Sequence, residues 1–255
     1  MFATVIYPAA PLRRRPNHRK EMVNQLLFGE SMEILKEKGP LWLKVRSVHD
    51  DYEGWVTRTL VHFVDEGFAK TRSTMVATGL LNTILLGTKQ MKIPFGSSIP
   101  FLENGKGRIG ELEFIYDGSF WNRDEQEKNI KTVLEISQQW MQAPYLWGGR
   151  TVLGVDCSGF VQLMMKMIGV DVPRDAWQQA QVGEPVNKFR EARAGDLIFF
   201  DNKEDIVHVG ILLDNDQIIH SSGQVRIDRI DKKSVINTET GDRMQKLKAI
   251  RRIVE

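Results

Sequence analysis

The chain of 255 residues has a single cysteine, Cys157, set in Asp156-Cys157-Ser158-Gly159. A lone cysteine cannot form a disulfide within its own chain. The residues after it, Phe160, Val161, Met164, Met167 and Ile168, recur at helical spacing, so Cys157 reads as the start of a helix with a buried face. Free N–H groups and partial positive charge at a helix N-terminus favour a thiolate over a thiol. Two readings of the local sequence stay open: a nucleophile, or a small buried hydrophobe. A thiolate nucleophile needs a base, and usually a third group to orient that base. Of the five histidines, His18, His49 and His62 lie in the first 65 residues. His208 and His220 fall on consecutive predicted strands joined by the turn Asp214-Asn215-Asp216. A hairpin centred on Asn215 sets position 208 opposite 222. His208 and His220 then share a face as diagonal neighbours, about 7–8 Å apart, and a one-residue slip would separate them. Each histidine alone reads as an ordinary strand residue; with a cysteine at a helix start they make a nucleophile, base and orienting group. One Cys and two His without close spacing do not make a zinc set, so no metal and no cofactor is expected.

The elements that must position these groups follow from period and punctuation. Residues 1–65 read as short strands, Thr4–Tyr7, Ser31–Lys36, Trp42–Val48 and Gly54–Thr57, separated by Pro, Gly and Asp signals, which predicts a small barrel. Residues 66–118 repeat that texture more weakly, with Met75–Gly79, Asn82–Leu86, Ile99–Leu102 and Glu111–Tyr116, and predict a second barrel. Asn122 with Glu125 has the form of a capping box, opening a helix through Ile130, Val133, Leu134, Trp140 and Met141 that Pro144 ends. The cysteine helix over 157–168 and a short helical piece over 175–181 follow. Strands are then predicted at Asp196–Phe200, Val207–Leu213, Gln217–Ser221, Val225–Asp228 and Lys246–Ile253. Helices followed by strands predict an α+β domain with helices packed on an antiparallel sheet.

Lys and Arg number 35 against 33 Asp and Glu, a net charge of +2. That balance argues against nucleic acid or an anionic membrane as the main partner. No apolar run approaches the ~18 residues of a membrane helix. The opening residues, interrupted by Pro8 and Pro11 with arginines only afterwards, do not have the form of a signal peptide. A cytoplasmic monomer is expected, or a periplasmic or surface protein if a leader has been removed.

Five blocks occur in order: Tyr145-Leu-Trp-Gly-Gly-Arg150, Val155-Asp-Cys-Ser-Gly-Phe160, Gly195-Asp-Leu-Ile-Phe-Phe200, His208-Val-Gly-Ile211 and Ile219-His-Ser-Ser-Gly223. Together they resemble the NlpC-type papain-like cysteine peptidases of bacterial cell-wall metabolism. Leu26-Leu-Phe-Gly-Glu30 and Tyr52-Glu-Gly-Trp-Val56 resemble bacterial SH3-like modules. The whole chain is similar to γ-D-glutamyl-L-diamino acid endopeptidases of the dipeptidyl-peptidase VI type, and Ile218–Asp228 is close to what that subgroup carries. The resemblance implies a bacterial SH3-like domain over 1–65, a second, more divergent one over 66–120 and a peptidase domain over 121–255. It also implies that the SH3-like modules wall off one side of the cleft.

On this resemblance Cys157 is the nucleophile, His208 the base and His220 its orienting partner. The backbone N–H of Cys157 and the hydroxyl of Tyr145 are candidates for oxyanion donors. Ser158 is placed to touch substrate, and Asp156 either does the same or caps the helix. The resemblance further implies recognition of a free L-Ala amine, and a buried ammonium requires carboxylates. Asp175, in Pro173-Arg-Asp-Ala-Trp177, fits that role; Glu30 and Tyr52 are further candidates, and Trp147 and Trp177 could line the cleft. The expected reaction is hydrolysis of the γ-D-glutamyl–diamino acid bond of murein peptides, releasing L-Ala-γ-D-Glu. The alternatives are a hydrolase of intact peptidoglycan stem peptides or cross-links, and a non-catalytic wall-binding protein.

Overall fold

A computed structural model describes residues 1–126, 128–202, 205–214 and 216–254. The chain divides into two compact units. The first comprises Met1–Gln126 and Trp147–Val152, the second Glu127–Leu146 and Leu153–Glu255. Among the described residues no helix is long and apolar enough to cross a membrane.

The first unit begins with seven antiparallel strands: β1 (Phe2–Val5), β2 (Ala9–Arg13), β3 (Met22–Leu27), β4 (Ser31–Lys38), β5 (Trp42–Ser47), β6 (Glu53–Thr57) and β7 (Val61–Val64), in the order β3-β2-β6-β5-β4-β1-β7. Alternation along β4 and β5 sends Met32, Ile34, Leu43 and Val45 into one core, which also takes Leu12, Leu26 and Val56. Helix α1 (Glu66–Lys70) leads to β8 (Met75–Ala77), β9 (Leu81–Leu86), β10 (Lys89–Pro94), β11 (Lys106–Ile109), β12 (Leu112–Asp117) and β13 (Phe120–Asn122). Here β10-β9-β12-β11 form a four-stranded sheet and β13-β8 a ribbon. Phe68, Ile84, Ile93, Ile109 and Phe114 form a second core, joined by Phe28 from the turn between β3 and β4. Residues 99–102, expected as a strand, run instead through turns. Phe101 sits at φ +55°, which strand geometry does not allow, and β10 and β11 supply the ladder. Gly29, at φ +76° in the turn between β3 and β4, packs so closely that a Cβ would run into the Ser98 carbonyl.

The second unit holds α2 (Ile130–Gln138). After β14 (Arg150–Thr151), which belongs to the first unit, it continues with β15 (Gly154–Val155), α3 (Cys157–Met167), α4 (Ala176–Gln179) and β16 (Glu184–Pro185). It ends with β17 (Leu197–Asp201), β18 (Ile206–Leu212), β19 (Gln217–Ser222), β20 (Gln224–Ile230), β21 (Ser234–Ile236) and β22 (Arg243–Arg252). The helix expected to open at Asn122 begins later, capped by Asn129, whose side chain accepts from the Lys131 amide. Asn122 ends β13, paired with Met75, and its side-chain oxygen accepts from the Asp124 amide at 3.2 Å in a turn that does not run on into a helix.

The expected antiparallel sheet is present and curled. Its order is β16-β22-β17-β18-β19-β20-β21, and β21 pairs back onto β22, so six strands close a ring. Ile198, Phe200, Leu212, Ile218, Ile230, Val235 and Ile250 cluster as its core. Every residue of α3 is buried; the helix packs on β18 and β19, and α2 packs on α3. Burial on all sides explains a helix apolar almost all round.

Candidate active site

Cys157 is the first residue of α3. Asp156 caps that helix, accepting from the Gly159 amide at 2.7 Å. The same carboxylate is held by Arg174, through Nη1 to Oδ1 at 2.9 Å and Nη2 to Oδ2 at 2.6 Å. Arg174 Nη1 also donates to the Ser158 hydroxyl at 2.9 Å. The buried Gln179 side chain donates to the Ser158 carbonyl at 3.0 Å and the Pro173 carbonyl at 2.8 Å. The first turn of α3 is thus tied to the Pro173–Asp175 segment by charge-assisted bonds. Arg174, which the sequence offers only as a neighbour of Asp175, is a central strut, and no local pattern marks its pairing with Asp156 eighteen residues earlier.

The cysteine sulfur lies against the backbone amides of Val209, the residue after His208, and of Ser158. Burial pushes the thiol up to about 12 and the Asp156 charge adds to that, while the Val209 and Ser158 amides and the Arg174 charge pull it down. Burial, and after it the neighbouring His220, hold His208 well below the ordinary imidazole value. The helix N-terminus predicts a thiolate, but desolvation outweighs it. The resting groups are therefore thiol and neutral imidazole. Moving one proton from sulfur to imidazole charges both groups together.

The β18–β19 ladder pairs Ile211 with Ile219 and Leu212 with Ile218. Continued along the strands, that register sets 208 opposite 222, as the hairpin argument predicts; Asn215 itself lies outside the described residues. His208 Nε2 and His220 Nδ1 meet at 2.7 Å, with ring centroids 5.0 Å apart at 69°. Gly210 lies between them on the same face. A Cβ there would stand 2.9 Å from the His220 Cβ and 2.7 Å from the Ile218 side chain, so the close approach of the two strands requires glycine.

Beyond His220 stands a residue to which the sequence reading gives no role. His220 Nε2 contacts Asp228 Oδ2 at 2.9 Å. Asp228 Oδ1 accepts from the Thr238 amide at 2.9 Å and from Arg226 Nη2 at 3.0 Å. The β19–β20 register pairs Ile218 with Asp228 and His220 with Arg226, which makes His220 and Asp228 diagonal neighbours. Centring a second hairpin on Gly223 gives that register from sequence.

Tyr145 is half-buried. Its backbone bridges to Val155, and its amide donates to the Gly223 carbonyl at 2.9 Å. Burial raises the phenol well above its ordinary value, and the nearby Cys157 and Asp156 charges raise it further. Its hydroxyl therefore stays protonated, a donor close to the sulfur. Asp175 is half-buried at the N-cap of α4, where its amide donates to Gln178 Oε1 at 3.2 Å. Trp177, two residues on, is 55% exposed.

Glu30, Tyr52 and Trp147 belong to the first unit. Glu30 is buried and doubly bound to Arg150, by Nη1 to Oε2 at 2.8 Å and Nη2 to Oε1 at 3.0 Å. It also accepts from the Leu27 amide at 2.9 Å. Its negative charge is thus balanced within its own unit. The Arg150 amide donates to Gln25 Oε1 at 2.8 Å, and Trp147 Nε1 donates to Glu21 Oε1 at 3.0 Å, so the first unit grips residues 147–152. Tyr52 packs half-buried against the core of the first sheet.

Residues 142–244 match the NlpC/P60 family, and residues 12–59 match the bacterial dipeptidyl-peptidase SH3 domain. A γ-D-glutamyl-L-lysine dipeptidyl-peptidase from Bacillus subtilis is 27% identical over 219 residues, covering 77% of this chain and 71% of that protein. Dipeptidyl-peptidase 6 of Lysinibacillus sphaericus is 27% identical over 263 residues, covering 91% and 93%. The crystal structure of an NlpC/P60 family protein from Bacillus cereus superposes with a TM-score of 0.83 at 20% identity, over 100% of both chains, which shows a shared fold. Residues 142–244 are a cysteine peptidase domain of the NlpC/P60 family, and the chain that carries them also contains a bacterial SH3 domain.

Proposed function

We propose that the protein cleaves the γ-D-glutamyl–L-diamino acid bond of murein peptides bearing a free N-terminal L-Ala, and releases L-Ala-γ-D-Glu. The observation that carries the reading is the 2.7 Å contact between His208 and His220 on the strand whose Val209 amide faces the Cys157 sulfur. Relatives named as γ-D-glutamyl-L-lysine dipeptidyl-peptidases and dipeptidyl-peptidase 6 support the choice of bond. We further infer that residues 66–120 form a second SH3-like module, supported by an apolar core distinct from that of the first sheet, to which residues 1–65 add Phe28.

In this mechanism Cys157 Sγ attacks the γ-carbonyl carbon of D-Glu. The thiol proton passes to His208 Nδ1, the nitrogen that His220 does not occupy. The Cys157 backbone N–H and the Tyr145 hydroxyl receive the oxyanion. The tetrahedral species expels the diamino acid's amine, which takes the proton from His208, and a thioester remains. Water then adds, giving a proton to His208, and breakdown returns that proton to sulfur and frees the dipeptide. Each step uses one proton and one base, so no cofactor is needed. Asp175 supplies negative charge for the L-Ala ammonium, since Glu30 is already balanced by Arg150.

The test is release of L-Ala-γ-D-Glu from L-Ala-γ-D-Glu-L-Lys, or from the diaminopimelate peptide, by wild type and Cys157→Ala. Release by wild type and none by the variant is expected. Equal release by both refutes the assignment. Faster hydrolysis of whole sacculi than of the soluble peptides would favour a wall hydrolase.

A further inference from the structure

Asp228 is a carboxylate on the interior face of a closed barrel. Alternation along β18, β19 and β20 puts His208, His220 and Asp228 on the face that carries Leu212, Ile218 and Ile230 into the core. Asp228 is 0% exposed. A buried carboxylate costs several kcal/mol unless donors surround it, and an apolar residue would fill the position more cheaply.

The donors are specific. Oδ1 receives the Thr238 amide and Arg226 Nη2; Oδ2 faces His220 Nε2 at 2.9 Å and Arg226 Nε at 2.9 Å. Arg226 in turn reaches Asn237 Oδ1 at 3.1 Å and Glu239 at 3.5 Å. Burial raises the Asp228 carboxyl, yet the bonds from His220, the Thr238 amide and Arg226 more than offset it and hold it well below the usual carboxylate range. Asp228 is therefore an anion at any working pH, and it can only accept.

We propose that Asp228 is a positioning residue that sets the direction of the histidine relay: it holds a proton on His220 Nε2, so His220 Nδ1 accepts from His208 Nε2–H and His208 Nδ1 is left bare for the Cys157 proton. A neutral imidazole carries one N–H, so fixing it at one end of the relay fixes every nitrogen along it. The reverse arrangement, with His220 Nδ1–H donating to His208, would put a proton on His208 Nδ1 and disable the base. It would also leave His220 Nε2 and Asp228 Oδ2 as two acceptors 2.9 Å apart. The carboxylate further stabilises the imidazolium that forms once the proton has moved. The proposal deepens the reading of Cys157 and His208 as nucleophile and base, and rests on it.

Asp228→Asn tests it sharply. At the Oδ1 position an NH2 would confront two donors, the Thr238 amide and Arg226 Nη2, and at the Oδ2 position only Arg226 Nε, so the amide NH2 turns toward His220 and imposes the reverse tautomer. Asp228→Ala only removes the constraint. In the full-length chain, both variants should lower kcat about 10- to 100-fold with little change in KM, by analogy with other outer-shell partners of histidine, and Asp228→Asn should be the worse. Loss of the anion also removes support for a cationic ring, so the acid limb of the residual activity moves to lower pH. The groups facing this site are His208, His220, Arg226 and, through Arg226, Glu239; none replaces the lost charge. A drop in kcat/KM matched by the loss of folded protein, with an unmoved pH profile, would overturn the proposal.

The second readout needs no variant and no turnover. In wild-type protein, 15N shifts of the two rings should show His220 and His208 protonated at Nε2 and bare at Nδ1. A proton on Nδ1 of either neutral ring overturns the inference. If wild type fails to cut the murein peptides but shows these tautomers, the proposed substrate falls and the relay stands.

Discussion

Arg174 and Asp156 form a two-point ion pair beside Cys157, at 2.9 and 2.6 Å, with their side chains 1% and 8% exposed. Asp156 also caps α3, so one carboxylate links that helix to the segment that carries Asp175. Removing one partner of a buried pair strands the other's charge and costs about 3–5 kcal/mol. Arg174→Met should lose that much stability in urea denaturation, and a loss below about 1 kcal/mol, the range of exposed pairs, would refute the structural role.

The pH dependence follows from His208. The base must be neutral to accept a proton, and burial and His220 hold its conjugate acid well below the ordinary value. Its active form therefore persists into acid, and the acid limb of kcat/KM is expected below about pH 6.5, the free-imidazole value. Stability has the same sign. As pH falls below about 6.5, the unfolded chain takes up a proton that folded His208 refuses, so folding is penalised progressively. An acid limb at or above pH 6.5 contradicts the buried neutral ring.

Tyr145 separates transition-state from ground-state contact. Its phenol is kept protonated chiefly by burial, with the Asp156 charge, and the Cys157 sulfur once it ionises, adding to it. As an oxyanion donor it should contribute to kcat and not to KM. Tyr145→Phe is expected to lower kcat about 100-fold with KM nearly unchanged; a rise in KM at constant kcat would make it a uniform binding contact.

The amine pocket is tested from both sides. N-acetylating the L-Ala removes the positive charge and should abolish turnover. Asp175→Asn should weaken use of the free peptide by about 10- to 100-fold, the worth of one charge-assisted hydrogen bond, and should matter far less for any residual use of the acetylated one. Equal kcat/KM for the acetylated and free peptides would remove recognition of the amine.

The catalytic half was more legible than the half that precedes it. Cys157 preceded an apolar stripe of period 3.6, and His208 and His220 flanked a turn whose centre set their register; both patterns are local and both appear in the structure. In residues 66–120 the alternation is weak and punctuated by Gly and Pro, and the strand expected over 99–102 is broken at Phe101, whose φ is +55°. Asn122 carried the side-chain pattern of a cap, and its side chain does close a local turn onto the Asp124 amide and Glu125, but the chain enters a helix only after Asn129, because a local capping pattern cannot say whether the residues after it go on to bury a helical face.

The sequence by itself determined the chemical groups and their local frames: a cysteine at a helix start, two histidines turned to one face, a tyrosine twelve residues before the cysteine. Period and turn residues specify these because they act over a few positions. Only the tertiary structure decided the charge states and the supports. Closing the sheet through the β21–β22 pairing puts Asp228 inside, behind His220. Burying α3 on all sides opposes the thiolate its N-terminus would favour. Arg174 takes Asp156, and Arg150 takes Glu30, because a desolvated charge must find a partner, and those partners are 18 and 120 residues away, beyond the reach of any local pattern.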